Sequence, residues 1–352
     1  MNTTSMTERT TRSATETRTA TGSDWNALAA RILEGEQITE AEALSVLHAP
    51  DSDVPGLLAA AWKLRSHHFG NTVKLNYLVN AKSGLCPEDC TYCTQSKDST
   101  AEIEQHRMLS QEQIIAKADH AHAQHAGTCC IVISAQSPTD QEVDHVAGAV
   151  QEIKRRHPEM KVCACMGILK DGQAEKLAAA GADRYNHNLN TAESHYEEVC
   201  STHSYQDRLD TVEASKKAGI SPCSGVIVGM GESREQVVES AYALKRLDVD
   251  SIPVNFFLAV EGTPLGDDPE REELDPRYCL KVLCMYRFVN PAREIRVSAG
   301  REEHLRTLQP MSLYAANAMF LADYLTEPGQ AVELDEQMIE DLGFVWEQAG
   351  GE

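Results

Sequence analysis

The sequence of 352 residues is short of basic charge, aromatic residues and long apolar runs. Its 32 Lys and Arg stand against 54 Asp and Glu, so it lacks the positive surface that binds nucleic acids and anionic membranes. Aromatic residues make up 5%, and the longest apolar run, residues 56–62, is too short to cross a membrane. An apolar signal segment is also missing from its start. These absences predict a cytoplasmic protein that binds neither nucleic acid nor membranes.

The first 70 residues divide into two parts of different composition. Residues 1–23 contain nine Thr, three Arg, two Glu and almost no apolar residue. A transit peptide would be poor in acidic residues, so we predict a disordered leader. Helical patterns follow at 24–34, where Ser23 is the predicted cap, and at 40–47 and 54–67. Residues 24–70 therefore form a predicted N-terminal helical section.

Strand and helix patterns alternate through the rest of the chain, which predicts an α/β fold. The predicted strands cover residues 74–80, 128–134, 161–167, 183–189, 222–230, 251–257, 294–300 and 317–322. The predicted helices cover residues 110–125, 140–157, 172–180, 205–218, 234–246 and 276–289. Eight strands with intervening helices over 71–330 favour a (β/α)8 TIM-type barrel, with a doubly wound open sheet as the alternative. Residues 331–352 form an acidic C-terminal tail, predicted as a short helix or a solvated end.

Eleven cysteines in a long chain without a signal segment indicate metal, redox or core roles rather than a disulfide framework. Three of them, Cys86, Cys90 and Cys93, stand close together after the first predicted strand. A structural zinc site usually takes four ligands from two separated pairs. Three thiolates from one loop suit a four-iron cluster better, because one iron stays open.

This cysteine pattern resembles the radical S-adenosylmethionine superfamily, and the string from Ser83 to Ser96 resembles the biotin synthase family in particular. Further similar segments, among them 185–191, 222–232 and 295–302, follow in the same order between residues 70 and 330. The resemblance implies a 4Fe-4S cluster on Cys86, Cys90 and Cys93 that binds S-adenosylmethionine. It also implies a 2Fe-2S cluster deep in the barrel.

The resemblance assigns the second cluster to Cys130, Cys165, Cys223 and Arg296. Cys129 and Cys163 are reserve candidates. Cys129 adjoins Cys130 but points to the opposite face, whereas Cys163 and Cys165 share one face of their strand. Buried strand cysteines are commonly small core residues. A guanidinium is a poor ligand unless it is partly deprotonated, so Arg296 could instead be a buried charge partner. Cys200, Cys279 and Cys284 match no motif and are expected to pack in the core.

The resemblance also implies contacts to the two small molecules. Those to S-adenosylmethionine come from Tyr92, Asn188, Asn190, Arg208 and Ile227, and those to dethiobiotin from Asn186, Asn188, Asn255 and Thr326. Asn190 replaces an aspartate found in some family members. Arg208 could otherwise be a solvated helix residue, and an Asn-rich strand end could be a plain turn.

The implied function is the last step of biotin synthesis, in which sulfur is inserted between C6 and C9 of dethiobiotin. No protein side chain is predicted to be catalytic, because the clusters and S-adenosylmethionine supply the chemistry. The implied partners are a flavodoxin or ferredoxin electron donor and a second copy in a homodimer. Alternatives are a maturase or mutase on the same scaffold, or an iron–sulfur sensor without enzymatic activity.

Overall fold

A closed parallel β-barrel surrounded by helices forms the centre of the computed structural model, which describes residues 24–84 and 86–347. The barrel closes because the first strand pairs with both the second and the last barrel strand. The alternating helix and strand patterns thus give the predicted (β/α)8 fold, and the open sheet is wrong. No helix within the described ranges is both long enough and apolar enough to cross a bilayer.

The strands lie close to their predicted positions. Their bounds are β1 Thr72–Lys82, β2 Thr128–Ile133, β3 Lys161–Cys165, β4 Arg184–Asn186, β5 Ser221–Cys223, β6 Val226–Val228, β7 Ser251–Phe256, β8 Glu294–Val297, β9 Ala318–Leu321 and β10 Val345–Trp346. The order around the barrel is β1-β2-β3-β4-β5-β7-β8-β9, with β6 continuing β5 along β7. Carboxyl ends of all barrel strands therefore meet at one mouth.

The helices pack outside the barrel or before it. Their bounds are α1 Trp25–Leu33, α2 Glu40–Leu47, α3 Val54–Phe69, α4 Gln111–Ala123, α5 Asp140–Arg156, α6 Gln173–Ala179, α7 Tyr196–Val199, α8 Tyr205–Lys217, α9 Arg234–Arg246, α10 Pro276–Val289, α11 Arg301–Leu305 and α12 Val332–Asp341. Reciprocal side-chain caps start several of them, for example Ser110 with Gln113 at α4. Asp24 caps α1, so the prediction of Ser23 is wrong; the predicted leader itself lies outside the described residues.

One predicted strand, residues 222–230, is interrupted into β5 and β6. A side chain on Gly225 would place its Cβ 1.9 Å from the carbonyl oxygen of Pro253 on β7. Only glycine fits such a close approach of two backbones, and the ladder is broken there. The predicted strand 183–189 also ends early, at Asn186, and Asn190 beyond it has a left-handed backbone with φ of 69° and an isolated bridge to Val226. Both interruptions shape the mouth of the barrel.

The acidic tail is partly packed rather than wholly solvated. α12 confirms the predicted short helix, and β10 pairs with the start of β1. Asp335 of α12 is fully buried and bonds Arg301 through both carboxylate oxygens at 2.9 Å. Arg301 begins α11, directly after β8, so the tail reaches the mouth through this ion pair.

Removing the Asp335 carboxylate should strongly destabilise the fold. We expect Asp335→Ala to lower the free energy of unfolding by about 3–5 kcal/mol, because the buried guanidinium of Arg301 loses its counter-ion. Urea denaturation followed by circular dichroism measures the change. Glu333→Ala is the control on the same helix, since Glu333 is exposed. Equal stability of the two variants would contradict a structural role for the pair.

Candidate functional site

The cysteine loop after β1 lies at the barrel mouth and is held by its own backbone. The amide of Cys86 donates to the Gln95 carbonyl at 3.1 Å, and the amide of Cys93 donates to the Cys90 carbonyl at 3.1 Å. Burial raises the pKa of the Cys86 and Cys93 thiols. Three thiols on one ordered loop form a donor set that fits a soft iron–sulfur centre.

A cavity of about 200 Å³ adjoins these thiols and is lined by the Asn-rich end of β4. Asn190 donates a hydrogen bond from its side-chain amide to the hydroxyl of Tyr92, which ties the cysteine loop to this strand end. His187 also lines the cavity; burial lowers its pKa, so the ring is neutral. The sequence's Asn-rich end is therefore a cavity wall rather than an isolated surface turn.

Arg208 of α8 is buried and lines the same cavity, so the interpretation as a solvated helix residue is wrong. Its Nη1 donates to the Asn188 carbonyl at 2.8 Å, and its Nε donates to the Tyr196 hydroxyl. Burial alone would lower its pKa, but Tyr92 and Tyr196 raise the pKa overall. The cavity thus contains a fixed positive charge.

Three further thiols gather inside the barrel, below this cavity. Cys130 on β2 is paired in register with Cys163 on β3, and both belong to one buried group with Phe320. The neighbouring Cys163 thiol and the positive charge of Arg296 lower the pKa of Cys130, and they lower the pKa of Cys223 to about 5. Cys129 points instead into the core between barrel and helices, as its strand alternation predicts.

The prediction names Cys165, rather than Cys163, as the β3 member of the cluster site. Cys165 lies two residues further along β3, nearer the mouth, and its thiol donates to Asn186 Oδ1 at 3.5 Å. The Asn186 amide in turn donates to Cys223 Sγ at 3.1 Å. Cys165 lines the inner cavity together with Cys130 and Arg296, whereas Cys163, the reserve candidate, packs against Cys130 and Phe320, so the choice of Cys165 stays a prediction.

Arg296 lies beside the inner thiols and is 1% exposed. Its Nη2 donates to Glu294 Oε1 at 2.8 Å and to Ser251 Oγ at 3.0 Å. Burial opposes its charge, but Cys223, Glu294 and Cys130 raise its pKa overall. Arg296 therefore lies between the inner thiols and a buried carboxylate.

A second cavity, of about 280 Å³, joins the inner thiols to the mouth. Its lining is mostly apolar and includes Ile227, Asn255 and Thr326. Asn255 uses its amide to bond the backbone of Val226 and Ala299, and Thr326 bonds the Thr94 hydroxyl at 2.9 Å. Asn186 and Asn188 line both cavities. All the predicted contact residues thus line one continuous region of the barrel.

Sequence reasoning missed two residues beside the cysteine loop, since Cys200 was expected to pack in the core and His203 was not singled out. Cys200 Sγ lies 3.6 Å from Cys90 Sγ and 3.3 Å from His203 Nδ1. Cys90 and Cys200 are 110 positions apart. No local spacing could therefore have revealed this contact.

Comparison with known proteins decides the family. Residues 82–244 match the radical SAM superfamily, and residues 253–345 match the biotin and thiamin synthesis associated domain. The chain is 54% identical to biotin synthase of Bacillus cytotoxicus over 92% of its own length and 97% of the relative. It is 52% identical to biotin synthase of Bacillus subtilis over 91% and 94% of the two chains. The chain belongs to the biotin synthase family.

Membership of the biotin synthase family makes the chain a radical S-adenosylmethionine enzyme, as the sequence predicted. The second matched region extends to residue 345, past the barrel end predicted at 330, and so includes α12. A crystal structure of methylornithine synthase superposes with a TM-score of 0.79 at 20% identity, covering 92% of this chain and 98% of that one. That likeness supports the barrel fold alone.

Proposed function

We propose that this chain is an enzyme that inserts sulfur into dethiobiotin to form biotin, using S-adenosylmethionine and two iron–sulfur clusters. The observation that supports it most is the presence of two thiol sets along one barrel, Cys86, Cys90 and Cys93 at the mouth and Cys130, Cys165 and Cys223 inside. A mutase or maturase without sulfur insertion would need only the first set. Family membership supports the same reaction.

In this proposal Cys86, Cys90 and Cys93 hold the 4Fe-4S cluster, and Cys130, Cys165, Cys223 and Arg296 hold the 2Fe-2S cluster. Most of these donors are thiols, the ligands that iron–sulfur clusters commonly take. When bound, the first cluster supplies the electron that cleaves S-adenosylmethionine, and the second supplies the sulfur atom. Cys165, Cys130 and Arg296 line one cavity, which supports this set, and Cys163 is the reserve candidate on β3.

The residues of the smaller cavity would bind and orient S-adenosylmethionine. Arg208 offers a buried cation for its carboxylate, a charge-assisted contact. Tyr92 and Ile227 offer flat or apolar surface for the adenine, and Asn188 and Asn190 offer amides for the ribose hydroxyls. Both asparagine amides already face polar partners across the cavity, Asn186 and Tyr92.

The larger cavity would bind dethiobiotin between the two cofactor sites. Its apolar lining suits the aliphatic chain and keeps water from the reacting carbons. Asn186, Asn188, Asn255 and Thr326 would contact the polar groups of this substrate. Asn186 also bonds Cys223, so it links the substrate position to the inner thiols.

The proposal also includes three properties predicted from the sequence. They are a flavodoxin or ferredoxin as electron donor, a homodimer, and a cytoplasmic location. All eleven cysteines are free, which suits a reducing compartment.

Anaerobic reconstitution tests the proposed function. The chain is loaded with iron and sulfide, its iron and sulfide are counted, and it is assayed with dethiobiotin, S-adenosylmethionine and a strong reductant. We expect near six irons per chain, four and two from the two cluster types. Biotin should form together with 5′-deoxyadenosine. Four irons and no biotin would favour the mutase or maturase alternative, and no cleavage of S-adenosylmethionine would favour the sensor.

Arg208→Ala should weaken S-adenosylmethionine binding while both clusters still assemble. A charge-assisted contact to a carboxylate contributes about 1.5–3 kcal/mol, so we expect the dissociation constant to rise about 10- to 150-fold. Equilibrium dialysis with labelled S-adenosylmethionine measures it, and Lys217→Ala, on the exposed side of α8, is the control. An unchanged constant would remove Arg208 from the binding site.

A further inference from the structure

A second group of metal-binding side chains lies behind the cysteine loop and shares one residue with it. It comprises Cys90 Sγ, Cys200 Sγ and a ring nitrogen of His203, all within 4.8 Å of one another. All three are largely buried, with the His203 side chain 6% exposed. Two thiols and an imidazole are a ligand combination that zinc commonly takes.

The distances within this group match those of a tetrahedral zinc ion. Zinc–sulfur and zinc–nitrogen bonds of about 2.3 and 2.0 Å give edges of about 3.8 Å between two sulfurs and about 3.5 Å between sulfur and nitrogen. The two sulfurs here are 3.6 Å apart. His203 Nδ1 bonds Glu88, so Nε2 is the nitrogen available to zinc, and it lies 3.9 Å from Cys200 Sγ, within about 0.4 Å of the expected edge.

Two acidic residues complete the surroundings of the group. Glu88 is 4% exposed and bonds His203 Nδ1, the arrangement in which a carboxylate orients a zinc-binding histidine. Its other oxygen, Oε1, is buried and accepts no hydrogen bond from the described residues. Asp89 Oδ1 lies 3.4 Å from Cys200 Sγ. Hydrogen bonds from Ser201 and Thr202 to Asp89 hold the segment after Cys200 in place.

We propose that Cys90, Cys200 and His203 bind one zinc ion when the cysteine loop carries no iron–sulfur cluster. Glu88 orients His203, Asp89 stays hydrogen-bonded to the Ser201 and Thr202 amides, and a solvent molecule fills the fourth position of the tetrahedron. Because Cys90 belongs to both sets, zinc and the 4Fe-4S cluster exclude one another. Zinc binding itself needs no part of the proposed function, whereas this exclusion rests on Cys90 being a cluster ligand.

A zinc count on matched variants tests the site directly. Iron-free protein is prepared anaerobically with a phosphine reductant and titrated with Zn²⁺ against a chromophoric chelator. We expect Cys200→Ala and His203→Ala each to bind one zinc equivalent fewer than the natural sequence. Zinc held by other thiols is the same in all three proteins, so it drops out of this difference. Glu88→Gln should keep the equivalent with about 10- to 100-fold weaker affinity, as for other residues that orient a ligand.

Cys86→Ala separates this site from the cluster site. It should bind as much zinc as the natural sequence but lose the 4Fe-4S cluster, whereas Cys200→Ala should load the cluster even with equimolar zinc present. Full zinc uptake by Cys200→Ala would overturn the proposal. So would the loss of the same equivalent in Cys86→Ala, because the ion would then sit on the cysteine loop. If the zinc results are as expected but no biotin forms, the proposed function is refuted and the zinc site is not.

Discussion

Cys165→Ala is expected to abolish biotin formation while slow cleavage of S-adenosylmethionine continues. The variant loses one of the three thiols proposed to bind the inner 2Fe-2S cluster, so this cluster should not assemble. The cysteine loop at the mouth remains intact, and reductive cleavage depends on that loop. The measurements are the visible absorption of the two-iron centre, the iron content, and the yields of biotin and 5′-deoxyadenosine.

Two neighbouring cysteines serve as matched controls for Cys165. Cys163→Ala removes a thiol from the same face of β3, and Cys129→Ala removes one that packs between barrel and helices. Both variants should keep the two-iron absorption. Loss of that absorption in Cys163→Ala with its retention in Cys165→Ala would contradict the ligand set and put the reserve candidate Cys163 in the place of Cys165.

This choice between Cys163 and Cys165 shows where sequence reasoning reaches its limit. Strand alternation correctly indicates that both side chains share a face, because the period of a strand is two residues. It does not show which residue of the neighbouring strand lies opposite each of them. The register of β2 and β3 determines this, and it sets Cys163 opposite Cys130 and Cys165 opposite Val132. The register depends on the closure of the whole barrel.

Elements with strong local signals were predicted well. The patterns at 234–246 and 276–289 coincide with α9 and α10, because an N-cap residue and a regular apolar face mark both. Strand ends at the mouth were predicted too long. There Gly225 breaks the ladder because of its close approach to β7, and Asn190 has a left-handed backbone and forms only an isolated bridge with Val226, features that a local period does not contain.

Contacts between charged residues or between thiols that are far apart in the chain could not be predicted from the sequence. Glu294 bonds Arg184 bidentately at 2.9 Å across 110 positions, and the same carboxylate bonds Arg296. Cys200 meets Cys90 in the same long-range manner. Such pairs carry no spacing signal, so burial and topology alone identify them.

Cys90→Ala is expected to abolish S-adenosylmethionine cleavage, and with it all biotin formation. Two remaining thiolates, Cys86 and Cys93, are too few to retain a four-iron cluster that already has one open iron. The reconstituted variant should therefore lack about four irons per chain and release no 5′-deoxyadenosine under strong reductant. Its inner thiols are untouched, so the two-iron absorption should persist.

Cys200→Ala is the sharpest control for Cys90→Ala, since the two sulfurs are 3.6 Å apart. It deletes a buried thiol of the same size at nearly the same place, so packing losses are comparable in the two variants. Cys200→Ala should nevertheless keep the four-iron cluster and cleave S-adenosylmethionine. Substantial 5′-deoxyadenosine from Cys90→Ala would contradict the assignment of the 4Fe-4S cluster to the cysteine loop. Equal loss of the cluster in both variants would mean that packing around this thiol pair, rather than ligation by Cys90, supports the cluster.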